Sequence, residues 1–105
     1  MIDALVLERA IDLRRVLVTH TVDHVRRERA EALRRGRTHH GILCVPRRAS
    51  VERRTIRVAM LLDWIADQER EGRLVVWGDL QQQLHRGLHL PGYGEAEVGE
   101  ALGRT

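Results

Sequence analysis

Polar side chains that can bind a metal or hold a substrate follow a short apolar run near the start of the chain. Residues 16–19 read VLVT, and the next five residues read HTVDH. The β-branched run predicts a buried strand. In parallel α/β sheets, ligands bind beyond the carboxyl ends of the strands. The sequence therefore predicts a candidate site at the end of the first strand, formed by His20, Thr21, Asp23 and His24.

The elements that must position this cluster alternate regularly along the chain. Apolar periodicity, caps and glycine stops predict the order helix–strand–helix–strand–helix–strand up to residue 79, with the helices over 3–12, 22–36 and 50–71 and the strands over 15–19, 42–45 and 74–77. Continuous apolar strands between helices predict parallel pairing and right-handed crossovers. We therefore expect a three-layer α/β fold with a small parallel sheet of three strands and helices on its faces.

The C-terminal quarter of the sequence has a weaker pattern. After Asp79 the chain holds five of the nine glycines and no clear periodicity. We expect a weak helix over 80–90 and a mobile tail over 91–105. This divides the chain into one structured domain over 1–79 and a weakly structured segment over 80–105.

Composition restricts the classes of function. A length of 105 residues allows one small domain, and all 18 basic residues are arginine. The net charge of +3 and the pI near 10.3 favour contact with a polyanion, although Glu and Arg alternating on a solvated surface would give the same balance. The sequence has no apolar run long enough for a membrane helix and no basic leader, and Cys44 stands alone. We expect a cytoplasmic protein with no membrane contact and an inert buried thiol.

The stretch RRVLVTHTVDHV, residues 14–25, resembles the signature of bacterial PIN-like proteins, in which a strand leads into Thr-x-Asp-x-Asp-Phe. The stretch HHGILCVPR resembles the next strand of that family, and the long helix and the LVVW strand follow in the family's order. MIDALVLERA resembles a family helix that begins with an acid. The resemblance covers most of residues 1–79 and implies an incomplete PIN-like domain, because the family's leading acidic strand has no counterpart in this sequence.

The resemblance implies a metal-dependent ribonuclease. PIN-type nucleases gather acidic side chains at the strand ends to hold Mg²⁺ or Mn²⁺, and metal-bound water attacks a phosphodiester of RNA. Hard divalent cations prefer oxygen ligands, and crowded carboxylates are stable when a cation offsets their repulsion. The resemblance also suggests that the chain is the toxin of a toxin–antitoxin pair.

The family's functional residues match this sequence only in part. Asp3 matches the acid at the start of the family helix, Asp23 matches the second acid of the signature, and Thr19 matches its threonine. The first acid of the signature falls at Thr21, and the phenylalanine falls at His24. The resemblance therefore implies Asp3 and Asp23 as catalytic residues and metal ligands, with Thr19 and Thr21 as substrate-binding residues. With half of the acids present, we expect weak cleavage or none.

Two further features of the sequence concern partners. Arg26 and Arg27 open an arginine-rich helix next to the candidate site, and the planar guanidinium fork suits RNA phosphates. Glutamates of the same helix, at helical spacing, could instead pair with these arginines, and the helix would then present an ordinary salt-bridged face to solvent. A sheet of three strands leaves edges that favour a homo-oligomer or binding to an antitoxin by strand addition. A non-catalytic remnant or protein-interaction module is therefore the alternative function.

The residues of the opening cluster also permit two other interpretations. His20, Asp23 and His24 could form a transition-metal site such as zinc, with His39 or His40 as a further ligand. Alternatively, Thr21 caps the second helix, the carboxylate favours its N-terminal dipole, and the histidines are surface residues.

Overall fold

A computed structural model describes residues 4–66 and 71–103 of the chain. In chain order the elements are α1 (Ala4–Asp12), β1 (Leu17–Thr19), α2 (Val22–Arg34), β2 (Ile42–Cys44), α3 (Val51–Ala66), β3 (Leu74–Val76), α4 (Trp77–His85) and α5 (Glu95–Leu102). None of these described helices is long and apolar enough to cross a membrane.

The three strands form one parallel sheet in the order β1-β2-β3. Leu17 pairs with Ile42, and Ile42 pairs with Leu74, so that the three strands start level with one another. Their carboxyl ends therefore lie at one rim of the sheet, where β1 passes into α2. This arrangement confirms the predicted α/β class and the parallel pairing.

Alternation along the central strand divides the interior into two cores. Ile42 and Cys44 point to the face that α1 and α2 cover, whereas Leu43 and Val45 point to the face that α3, α4 and α5 cover. All four side chains are buried, because β2 has helices on both sides. The molecule is therefore a three-layer α/β/α structure, as the sequence predicts.

The two helical crossovers differ in hand. The α2 connection runs over one face of the sheet and the α3 connection over the other, while both advance the sheet in the same direction. Connections of this kind on opposite faces have opposite hands, so one of them is left-handed, which is rare in parallel sheets. The expectation of right-handed crossovers is therefore wrong for one connection. The apolar residues on both faces of β2 require cover on each side.

Local sequence signals explain where α2 ends and where α3 begins. The backbone of Gly36 has a φ of +75°, the left-handed conformation that favours glycine just after a helix, and α2 ends at Arg34. The Ser50 hydroxyl oxygen accepts a hydrogen bond of 3.1 Å from the Arg53 N–H, which caps the start of α3. Both boundaries agree with the sequence prediction.

The C-terminal segment is more ordered than its sequence pattern predicts. Residues 77–85 form α4 and residues 95–102 form α5, where we expected a weak helix and a mobile tail. Leu90 and Ala101 are buried in the core that α3 supports. The described part of this segment, residues 80–103, thus differs from the weakly structured segment expected over 80–105, because distant residues supply the contacts that hold it.

Two arginines of α3 attach α5 to the rest of the molecule. Arg53 Nε donates to the Glu100 carbonyl at 3.0 Å, and Arg57 Nε donates to the Ala101 carbonyl at 2.8 Å. The Arg57 guanidinium also lies 4.9 Å from the centre of the Trp77 ring, which is a cation–π distance. Carbonyls at a helix C-terminus have no partner within the helix, and here side chains of α3 satisfy two of them.

Candidate functional site

Two threonine hydroxyls meet at the carboxyl end of β1. Thr19 is the last residue of the strand and is buried, and its Oγ1 lies 3.4 Å from the Oγ1 of Thr21. The Thr19 hydroxyl oxygen also accepts a hydrogen bond of 3.3 Å from the Thr21 N–H. This bond holds the turn between β1 and α2, and it keeps both hydroxyls at the rim of the sheet.

Thr21 precedes the first residue of α2 in an extended conformation, but its side chain does not cap the helix. The interpretation of Thr21 as a side-chain cap is therefore wrong. Its hydroxyl is directed toward Thr19 instead, since the two residues stabilise the turn. A cavity of about 180 Å³ opens beside this pair, and its polar lining includes His20 and Arg47. The sequence reasoning did not single out Arg47, which follows the neighbouring strand.

His20 ties the ends of two strands together. Its Nδ1 lies 2.7 Å from the carbonyl oxygen of Val45, so the ring donates to that carbonyl from Nδ1. The Val45 N–H in turn donates to the carbonyl of Thr19 at 2.9 Å. This pair of bonds orients the imidazole as a link between β1 and β2.

Asp23 lies in the first turn of α2 and is exposed. Its carboxylate interacts favourably with the N-terminal end of the helix dipole. Asp3, the second predicted acid, lies outside the described residues, so the pairing of Asp3 with Asp23 stays a prediction. Of the predicted substrate residues, Thr19 and Thr21 lie at the same end of β1 as this acid.

The described residues do not by themselves form a ligand set for a divalent cation. Among residues 4–66 and 71–103, no group of three or more His, Cys, Asp or Glu side chains lies close enough to hold a metal ion. The zinc site considered for His20, Asp23 and His24 is therefore not assembled in this part of the chain.

His39 is not available as a ligand, because polar neighbours contact both of its ring nitrogens. The Arg29 Nε–H points at Nε2 at 3.0 Å, and the Gly41 N–H points at Nδ1 at 3.1 Å. The ring is buried, and burial is the largest cause that lowers the pKa of His39 from its ordinary 6.5 to about 4, followed by the charges of Arg29 and His40. His39 is thus a neutral structural residue.

The two predicted phosphate-binding arginines separate in space. Arg26 lines a wide groove with Arg29 and residues 71–74, whereas Arg27 is exposed and does not line that groove. Consecutive positions on a helix are turned about 100° from each other, which explains the separation. Some glutamates of α2 do pair with arginine, as Glu31 and Arg34 show at 2.6 Å.

Comparisons of the chain with protein-family models, with curated proteins and with solved structures found no match.

Proposed function

We propose that this chain is a PIN-like domain directed at RNA, with weak Mg²⁺- or Mn²⁺-dependent endoribonuclease activity. We further propose that it acts in the cytoplasm as the toxin of a toxin–antitoxin pair. The observation that supports the proposal is the cluster at the end of β1, where the Thr19 and Thr21 hydroxyls adjoin the first turn of α2, which carries Asp23. The order of these residues along a strand and into a helix is the order of the family signature.

The side chains at this rim suit an RNA phosphate. The N-terminus of α2 directs unsatisfied backbone N–H groups toward the rim, and Arg47 adds a positive charge beside the threonine pair. Mg²⁺, when bound, would polarise the phosphodiester, and Asp23 is the described residue that would hold it, with Asp3 as its predicted partner. Because Mg²⁺ usually binds to one or two carboxylates plus substrate phosphates, RNA itself would complete the coordination.

The test is cleavage of a labelled RNA by the purified chain with Mg²⁺, with Mn²⁺ and with a chelator. We expect slow cleavage that needs the metal, and a loss of about tenfold or more in Asp23→Asn. Glu95→Gln is the matched control, since Glu95 is an exposed acid in the first turn of α5, away from the rim. Cleavage that persists in Asp23→Asn, or that needs no metal, would contradict the proposal.

The edge of the sheet supports a second candidate function, a non-catalytic protein-interaction module. Among the described residues, β1 has a strand on one side only. Val18, in the middle of β1, is 42% exposed, and the nearby helix α1 exposes Leu5 and Val6. An apolar edge strand of this kind can accept a strand from a second copy or from an antitoxin.

The mass of the chain in solution tests the second function. If β1 pairs between copies, light scattering after size-exclusion chromatography should give a dimer whose fraction rises with concentration. Val18→Lys should abolish the dimer, because a charge on an edge strand opposes pairing. Leu88→Lys, at a residue that is also partly exposed but lies beyond α4, should leave the dimer intact. A monomer of 12.1 kDa at all concentrations, with no capture of an antitoxin, would exclude the module.

A further inference from the structure

A wide groove lies on the face of the sheet that α2 covers, beside the edge strand β3. Its volume is about 620 Å³, and its wall is formed by Arg26 and Arg29 of α2 together with the segment 71–74. The strand order places this groove at the sheet edge opposite β1, away from the exposed Val18. The groove exists because α2 packs over the centre of the sheet and leaves Leu74 of β3 only partly covered.

The charge of this groove is strongly positive. Among the described residues, three arginines and one glutamate line it, which gives these residues a net charge of two positive units. The glutamate, Glu71, has a side chain that is 68% exposed and lies 4.0 Å from the Nδ1 of His40. A lining whose described residues include one solvated carboxylate does not suit a cation, whereas guanidinium groups around a concave surface suit phosphate groups.

Arg29 is held in place before any ligand arrives. Its Nη2 donates to the Gly72 carbonyl at 2.6 Å, and its Nε points at the buried ring of His39 at 3.0 Å. A guanidinium has five N–H groups, and these two contacts fix the plane of the fork. Ligand binding therefore costs less side-chain entropy at Arg29 than at a free surface arginine.

We propose that this groove binds the phosphodiester backbone of a single RNA strand, a proposal that rests on the proposed function and extends the RNA contact beyond the rim at β1. The groove is open to solvent and runs from α2 to the residues that precede β3, so it fits an extended chain of phosphates better than one enclosed phosphate group. Arg26 and Arg73 bind at its two sides, and Arg29 binds between them. A mononucleotide and inorganic phosphate share this chemistry and are distinguished by the experiment.

The experiment measures binding directly, by fluorescence anisotropy of a labelled single-stranded RNA in a chelator, so that no cleavage occurs. The test variant is Arg26→Gln/Arg73→Gln, and the control is Arg9→Gln/Arg86→Gln, which removes two other exposed arginines and the same net charge. We expect the test variant to lose about tenfold in affinity. Its slope of log K against log salt should fall by about 1.4, because each phosphate contact of a single strand contributes about 0.7. The control should bind almost as the unaltered chain does.

Equal losses in the two double variants would overturn the proposal, since net charge alone would then explain binding. Competition by a mononucleotide or by inorganic phosphate at the concentration where the RNA competes would also overturn it, in favour of a small-molecule site. Thermal unfolding of both variants checks that neither change acts through the fold. The unaltered chain separates this proposal from the proposed function: RNA binding by an unaltered chain that cleaves no RNA with Mg²⁺ or Mn²⁺ supports the groove and counts only against cleavage. If the unaltered chain cleaves RNA but the test variant binds RNA as tightly as the control does, the groove proposal is overturned and the proposed function is not.

Discussion

The buried imidazole of His39 makes the stability of this protein depend on pH between about 4 and 6.5. The ring is 2% exposed, and the N–H groups of Arg29 and Gly41 point at its two nitrogens. A neutral imidazole offers one acceptor nitrogen, and the protonated ring offers none. Protonation in the folded state would therefore place a positive charge without solvent beside Arg29 and against two donors. These are the physical reasons why the pKa of His39 falls to about 4, with burial the largest.

The folded and unfolded states take up a proton on His39 at different pH values, and this difference sets how the free energy of unfolding changes with pH. The unfolded chain binds a proton at His39 near pH 6.5, its ordinary pKa, while the folded chain resists protonation until about pH 4. Between these values the unfolded state holds more protons, so the free energy of unfolding decreases as the pH falls. Each pKa unit is worth about 1.4 kcal/mol, which gives a total loss of about 3 kcal/mol and a loss of about 2 kcal/mol by pH 5. Above pH 6.5 the contribution is constant.

The assay is urea unfolding followed by circular dichroism at several pH values between about 7.5 and 5, a range in which most carboxylates remain ionised. The unaltered chain and the control His24→Gln, at an exposed histidine of α2, should both lose about 2 kcal/mol over this range. His39→Gln keeps an acceptor for one donor but cannot titrate, so its loss should be much smaller. The reasoning would be refuted if His39→Gln showed the full pH dependence, or if NMR titration of the ring gave a pKa above about 6.

Three other outcomes follow from the packing. Burial raises the pKa of the Cys44 thiol to about 11, and the Arg26 charge offsets part of this effect, so a thiol reagent should not react with the folded protein at about pH 8 but should react fully in denaturant. Met60→Ala should cost about 2–5 kcal/mol in urea unfolding, because Met60 is fully buried on the inner face of α3, whereas Leu62→Ala, at an exposed position of the same helix, should cost much less. Tyr93 is the chain's one tyrosine, and burial and its 2.6 Å hydrogen bond to Asp63 raise its pKa to about 12. Absorbance titration of the phenol should show this midpoint, and Asp63→Asn should lower it.

The sequence by itself determined the sheet and its helices. The runs at β1, β2 and β3 are short and apolar and alternate with helical patterns, so element type and parallel pairing follow from local composition and periodicity. The positions of three candidate residues at the end of β1 were also predictable from the sequence. Thr19, Thr21 and Asp23 are near neighbours in the chain, and a strand that passes directly into a helix leaves little freedom for where they lie.

The tertiary structure alone decided the features that join distant parts of the chain. The helix α5 has a weak apolar pattern of its own, and it is held by arginines of α3 that donate to the carbonyls of Glu100 and Ala101. The groove likewise joins Arg29 to Gly72, which are 43 residues apart, and periodicity within either segment cannot report that contact. Periodicity records which face of an element is apolar, whereas it does not record which other element will cover that face. For this reason the strands and the positions of Thr19, Thr21 and Asp23 could be predicted, and the second crossover's face, the C-terminal helix and the arginine groove could not.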